Sequence, residues 1–128
     1  MKGEVCYAAA VINYNGGHLV IGTVESLKRS VSPPDEIVLV DDGPTDGSPE
    51  RLRAEHLDVH LVSMGRNTGR PTRVRHRALR EARHRRVLLT DDDVTFAPDA
   101  VRHLMGLLST REGAAVVSKT SLEMGEIH

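Results

Sequence analysis

Three consecutive carboxylates, Asp91-Asp92-Asp93, follow the short aliphatic run Val87-Leu88-Leu89 and Thr90. Acids side by side repel one another, so a fold that presents them at a rigid strand end usually offsets them with a cation. Mg²⁺ or Mn²⁺ commonly meets a nucleotide through one or two carboxylates, with phosphate oxygens and water in the remaining positions. With a diphosphate, the ion neutralises charge developing on the leaving oxygens. If a strand continues through the triplet, Asp91 and Asp93 project to one side and Asp92 to the other. The first and third are then the natural pair for one ligand, and Asp92 serves the local turn or a sugar hydroxyl. The plainer reading is a solvated acidic turn ahead of a helix at Pro98.

A second acidic pair stands at Asp41-Asp42-Gly43. A carboxylate facing a base edge accepts from a ring N–H, which separates uracil or thymine from cytosine. The competing reading is a turn whose Asp side chains satisfy backbone amides. Tyr14, beside Asn13, is one of three aromatics and would pack on a base face or edge the core. Arg70, Arg73 and Arg75 lie where a helix begins, and a helix N-terminus with arginines suits an anionic ligand. Arg77, Arg80, Arg83, Arg85 and Arg86 read instead as a solvated basic face. His56 and His60 have a metal-like spacing of four but straddle a helix end and a strand, so they should not share a face.

The elements that must position these residues follow from periodicity. Val5 to Asn13, Ile37 to Val40, Val59 to Ser63 and Val87 to Thr90 read as strands, with a fifth at Ala114 to Val117. Between them, Val20, Val24, Leu27 and Val31 recur at helical steps, and Ser48-Pro49 offers an N-cap and N1 proline for a short helix to His56. Thr72 caps a helix with Val74, Ala78 and Ala82 on one face, and Pro98 opens another with Val101, Leu104, Met105 and Leu108 inward. Uncharged strands alternating with helices imply an α/β, three-layer α/β/α domain with a mostly parallel sheet. In such sheets ligands bind beyond the carboxyl ends of the strands. Asn13-Tyr14, Asp41-Asp42, Asn67-Thr68-Gly69 and Asp91-Asp92-Asp93 all follow strands, so they should share one rim.

Bulk properties narrow the classes. At 128 residues the chain is read as one domain, short for an enzyme that holds two substrates. The formal net charge of -1 and 2% aromatic content argue against nucleic acid as partner. The lone Cys6 cannot form an internal disulfide and reads as a small buried hydrophobe. Val5 to Ile12 is roughly half the length needed to span a bilayer. It lacks the marks of a signal peptide, so the expectation is no transmembrane segment and a cytoplasmic location, with peripheral membrane contact open.

The chain resembles the N-terminal, donor-binding half of family-2 glycosyltransferases of the GT-A, Rossmann-like fold. The resemblance rests on Val11-Ile12-Asn13-Tyr14-Asn15-Gly16 and on Val40-Asp41-Asp42-Gly43-Pro44-Thr45-Asp46-Gly47-Ser48, with Pro44 where serine is usual. It continues through Asn67-Thr68-Gly69 with Val74-Arg75-His76-Arg77-Ala78-Leu79, and through Leu89-Thr90-Asp91-Asp92-Asp93, similar to a DxD motif. It implies a nucleotide sugar donor (UDP-, GDP- or dTDP-sugar), Mn²⁺ or Mg²⁺, and transfer of the sugar to an acceptor hydroxyl. Asp42 would contact the base, with Asp41 near it and Asn13 and Tyr14 alongside. Asp93 would ligate the metal, with Asp91 near the ribose or a metal-bound water, and Arg75 would approach the diphosphate.

Family members continue with an acceptor-binding half that supplies the carboxylate deprotonating the acceptor. The expectation is therefore a single nucleotide-sugar-binding domain lacking that half: either the chain is a fragment, or a partner chain or oligomer supplies the half, or the domain binds nucleotide sugar without transferring it. Glu112, Glu123 and Glu126 are assigned no catalytic role. A non-catalytic nucleotide-sugar-binding domain is the alternative. Two rivals reuse the acids. Asp91-Asp92-Asp93-Val94-Thr95 also resembles the first motif of haloacid-dehalogenase-type phosphatases, although it closes the fourth strand rather than the first. Asp41-Asp42, Asp91 and Lys119 mimic the order of a receiver module, with Lys119 too close to Asp91.

Overall fold

The computed structural model of the chain describes residues 6–43 and 47–109. Strands and helices alternate: β1 (Ala8–Asn13), α1 (His18–Lys28), β2 (Glu36–Asp41), α2 (Ser48–Glu55), β3 (His60–Ser63), α3 (Pro71–Glu81), β4 (Val87–Asp91) and α4 (Ala100–Ser109). The four strands form one parallel sheet in the order β3-β2-β1-β4. The chain therefore steps outward from β1 through β2 to β3, then returns to place β4 on the other side of β1. This reversal of strand order opens a crevice above the carboxyl ends of β1 and β4.

Alternation along the strands builds two cores. Ala9, Val11, Ile37 and Leu39 face Val20, Val24 and Leu27 of α1, Leu52 of α2, and Val101 and Met105 of α4. Ala10, Val38, Val40 and Val62 face the other way, against Val74 and Ala78 of α3. Full burial of a leucine such as Leu39 or Leu52 contributes about 1.5–3 kcal/mol. The expected α/β architecture is thus present, with helices on both faces of a parallel sheet.

Several boundaries differ from those read in the sequence. The first strand begins at Ala8, and Cys6 is exposed rather than buried, because the core position next to the strand is taken by the fully buried Tyr7 that follows it. Val31 lies beyond α1 and is 53% exposed. The helix stops earlier because the Ser30 hydroxyl donates to the Leu27 carbonyl, closing the last turn ahead of Pro33-Pro34. Gly47, in the left-handed region, precedes α2 in place of Ser48, and Arg70 precedes α3 with Pro71 at its first turn in place of Thr72. The fifth strand at Ala114–Val117, Lys119 and the acids Glu112, Glu123 and Glu126 lie outside the described residues. No helix among the described residues is long and apolar enough to cross a membrane.

At the end of the sheet away from the crevice, Glu36 ties β2 to the α3–β4 connection. Its Oε1 accepts the Arg83 N–H at 2.9 Å and lies 3.0 Å from His84 Nδ1, while Arg83 Nε is 3.6 Å from Oε2. Burial pushes this carboxyl up, but the Arg83 amide, the His84 ring and the two charges outweigh it and hold it below the usual range. A depressed native value means the ionised form stabilises the fold above the ordinary carboxylate range, and that contribution is lost as pH falls through the native value. Glu36→Gln is therefore expected to lower stability by about 1–2 kcal/mol at neutral pH. The gap from the parent should close in acid, as read by denaturant melts at the two pH values.

Candidate functional site

The strand register sets the rim level. Asn13 pairs with Asp41, Asp41 with Ser63 and Ile12 with Asp91, so the four strands end side by side. The loops after them, carrying Tyr14, Asp42, Asn67-Thr68-Gly69 and Asp92-Asp93, rise from one edge of the sheet, as the sequence reading expects.

Asn13 and Asp41 lie beneath this rim. Asn13 is wholly buried, and its Nδ2 donates to Asp41 Oδ1 at 3.2 Å and to Ser48 Oγ at 3.3 Å. These side chains lace β1, β2 and the start of α2 together, because the last residues of a parallel strand are still covered by helices. The sequence groups both with the donor-contacting residues; here both are buried and joined by this hydrogen bond. Asn13 Oδ1 is buried with no hydrogen-bond partner, and a Cβ on Gly16 would fall 2.4 Å from it. Only glycine fits where the first loop passes over Asn13.

Asp42, the residue after β2, is itself buried at 9% exposed. Its N–H donates to the Asn13 carbonyl, and its Oδ1 accepts both Thr68 N–H at 2.9 Å and Thr68 Oγ1–H at 3.0 Å. The Thr68 hydroxyl in turn accepts from Arg70 N–H at 3.1 Å, and Asn67 Oδ1 accepts from Gly69 N–H at 2.9 Å. The loop before α3 is thus fastened to the second acidic pair. Thr68 entered the sequence reading only as part of a motif, since nothing local to Asn67-Thr68-Gly69 shows which carboxylate 26 residues away it will meet.

The acidic triplet does not continue the strand. β4 ends at Asp91, and Asp92 and Asp93 lie in a turn. The alternation of sides nevertheless survives: Asp91 and Asp93 are exposed, while Asp92 is half-buried and accepts the Tyr14 N–H at 3.0 Å. Burial pushes the Asp92 carboxyl above the usual range; the Tyr14 amide pulls it down, and the charges of Asp93 and Asp91 push it up again. Asp92 therefore joins the first loop to the fourth, leaving Asp91 and Asp93 as the outward pair. Arg75, one turn into α3, brings Nη2 to 3.8 Å from Asp91 Oδ1. Tyr14 is 47% exposed on the same rim and is not a core residue.

Two residues of α1 also hold this loop, and the sequence reading missed them. Thr23 and Ser26 are buried among the apolar residues of the helix. Thr23 Oγ1 accepts from Val94 N–H at 3.1 Å and Ser26 Oγ from Phe96 N–H at 3.0 Å, while each hydroxyl donates to a carbonyl of its own helix. The available signal was two hydroxyls three residues apart on the face carrying Val20, Val24 and Leu27.

Several other titratable residues are partnered away from this rim. Arg77 pairs with Glu81 and Arg83 with Glu36, whereas Arg70, Arg73, Arg80 and Arg85 are exposed. His56 and His60 lie against different carboxylates, Glu25 and Glu81. Glu25, Glu55 and His56 bring ligand atoms within 4.8 Å of one another, but Lys28 Nζ sits 3.1 Å from His56 Nδ1. An ammonium there donates to Nδ1, which leaves the ring proton on Nε2 facing Glu25 rather than a lone pair. That geometry suits an ion-pair cluster between α1 and α2.

Comparison with known proteins agrees with this arrangement. The family model for glycosyl transferase family 2 matches residues 9–125. The succinoglycan biosynthesis protein ExoO of Rhizobium meliloti (strain 1021) is 30% identical over 96 residues, covering 74% of this chain and 27% of that protein. Residues 1–349 of S. aureus TarS, in complex with UDP-GlcNAc, superpose with a TM-score of 0.71 at 21% identity, over 89% of this chain and 37% of that fragment. The mannosyltransferase PcManGT from Pyrobaculum calidifontis, in complex with GDP-Man and Mn²⁺, superposes with a TM-score of 0.71 at 25% identity, over 84% of this chain and 33% of that one. The chain thus spans well under half the length of each of these proteins. Four ordered loops on one rim, the α/β sheet shared with GT-A glycosyltransferases, and a match over nearly the whole length lead to one conclusion: this chain belongs to glycosyl transferase family 2.

Proposed function

We propose that this chain binds a nucleoside diphosphate sugar through a divalent cation at Asp93 and Asp91, as the donor side of a glycosyltransferase that passes the sugar to an acceptor hydroxyl. The observation that carries the reading is the disposition of the rim. Asp91 and Asp93 stand exposed at one side of Tyr14, and Asp42 is held at the other.

The residues suit a hard cation. Their donors are carboxylate oxygens, which Mg²⁺ and Mn²⁺ prefer. Burial, with the charges of Asp93 and Asp91 adding to it, pushes the Asp92 carboxyl up, and a guanidinium lies at 3.8 Å from Asp91. When bound, the ion would neutralise charge on the diphosphate as it leaves. The chain's own residues supply the rest of donor binding. Asp92 fixes the turn that carries Asp93 by holding the Tyr14 amide, and Thr23 and Ser26 fix the far side of the same turn. Arg75 is placed to meet phosphate oxygens with its charge, and Tyr14 to pack on the base face. Asn13 and Asp41 hold the strand ends at a common level.

Proposed with this reading are a single nucleotide-sugar-binding domain over residues 1–128 and a partner chain or oligomer. No residue of this chain is assigned to take the proton of the acceptor. A cytoplasmic location is proposed as well, in keeping with the unpaired Cys6.

Thermal-shift measurements with UDP-, GDP- and dTDP-sugars, with and without Mn²⁺, test the reading. At ligand about 100 times its dissociation constant the expected stabilisation is about 2.7 kcal/mol. At least one donor should give a shift that disappears with a chelator. No metal-dependent shift with any of the three would end the proposal.

A further inference from the structure

We infer that Thr68 restricts the base this site takes to uracil or thymine, by leaving Asp42 only one open acceptor atom. The inference rests on the reading of Asp42 as the residue that faces the base, and goes beyond it by choosing among bases. The comparisons do not make that choice, since one ligand-bound neighbour holds UDP-GlcNAc and the other GDP-Man.

The argument is one of lone pairs. A carboxylate oxygen accepts two hydrogen bonds in good geometry. Asp42 Oδ1 already accepts two, from Thr68 N–H at 2.9 Å and Thr68 Oγ1–H at 3.0 Å. The hydroxyl cannot rotate away without cost, because its own lone pair takes the Arg70 N–H at 3.1 Å. The loop is also tied at its start, where Met64 N–H donates to the Asp41 carbonyl at 2.9 Å. Oδ2 is then the one acceptor left for a ligand.

The bases answer differently to one acceptor. Uracil and thymine carry a single ring N–H at N3, flanked by carbonyls, and need one acceptor. Guanine carries N1–H beside an exocyclic amino group, two parallel donors that match a carboxylate with both oxygens open. On Asp42 one of those donors would stay unpaired as the base buries it, which costs affinity. Cytosine and adenine have an acceptor where the ring N–H is needed, and would face Oδ2 with like charge. Thr68 is thus a positioning residue: it touches no base, and acts through Asp42.

Isothermal titration calorimetry of the full chain with Mn²⁺ and UDP, dTDP, GDP or CDP tests this. UDP and dTDP should bind at least about tenfold more tightly than GDP, with CDP weakest. Thr68→Val removes the hydroxyl donor but keeps the backbone bond, freeing one lone pair on Oδ1. It should weaken UDP and bring the UDP-to-GDP ratio toward one, while Thr68→Ser keeps the parent ratio. A merely structural Thr68 would lower all four affinities together and leave the ratio unchanged, which overturns the inference. Equal or tighter binding of GDP by the parent overturns it without any variant. Binding of all four bases alike removes the inference and leaves the proposed function standing, whereas no binding of any nucleotide removes both.

Discussion

Asp93→Ala is expected to abolish the Mn²⁺-dependent stabilisation by a nucleotide sugar, a loss of about 2.7 kcal/mol at ligand 100 times the parent's dissociation constant. The metal-free protein should melt at or slightly above the parent temperature. The physical reason lies in the turn beyond β4. Asp93 is exposed, so its removal opens no cavity, and it lies beside Asp92, whose carboxyl its charge helps to push up. Taking that charge away relieves repulsion in the empty site and withdraws the ligand in the occupied one. Asp92→Asn tests the division of labour between neighbours. It keeps an oxygen for the Tyr14 amide and should retain much of the metal-dependent shift. Equal loss in the two variants would show that the triplet acts as one diffuse charge, and would move Asp93 out of the leading position. Differential scanning fluorimetry with and without chelator reads both outcomes.

Gly43→Ala is expected to cost about 3–4 kcal/mol of stability, the largest effect of any single methyl group on this rim. Two causes add. Gly43 has a φ of 115°, where an L side chain is strained. Its new Cβ would also fall 2.3 Å from Asn67 N and 2.8 Å from Arg66 C, backbone atoms that move only if the whole loop moves. Gly47→Ala is the control: its φ of 86° carries the backbone strain, but nothing among the described residues lies within 4 Å of the added methyl group, so the loss should stay near 1 kcal/mol. Urea melts of the two variants should separate clearly. Equal losses would mean that the Gly43–Asn67 contact gives way easily and that Asp42 is not firmly strapped. If the contact is firm, any Gly43→Ala protein that folds should also bind nucleotide weakly, because the displaced loop carries Thr68 away from Asp42.

Much of this arrangement is legible in one dimension. Uncharged runs such as Ile37-Val38-Leu39-Val40 have no polar face to turn to water, so they must be covered on both sides, which requires a parallel sheet between helices. Once that is so, Asp41-Asp42 and Asp91-Asp92-Asp93 have to emerge at the same end, since parallel strands all finish there. Chain order and residue type alone therefore placed the acids on a common rim and marked the chemistry they could do. What they could not supply is which acid faces outward. Asp41 and Asp42 are neighbours of one type, yet the first is laced to Asn13 and the second to Thr68. Asp92 differs from Asp91 and Asp93 only because the Tyr14 amide, 78 residues earlier, needs an acceptor. Thr23 and Ser26 reach 71 and 70 residues forward to Val94 and Phe96. Each of these assignments is a hydrogen bond between segments far apart in the chain. A side chain's local pattern fixes whether it can donate or accept, and only the packing of β1 between β2 and β4 decides what it meets.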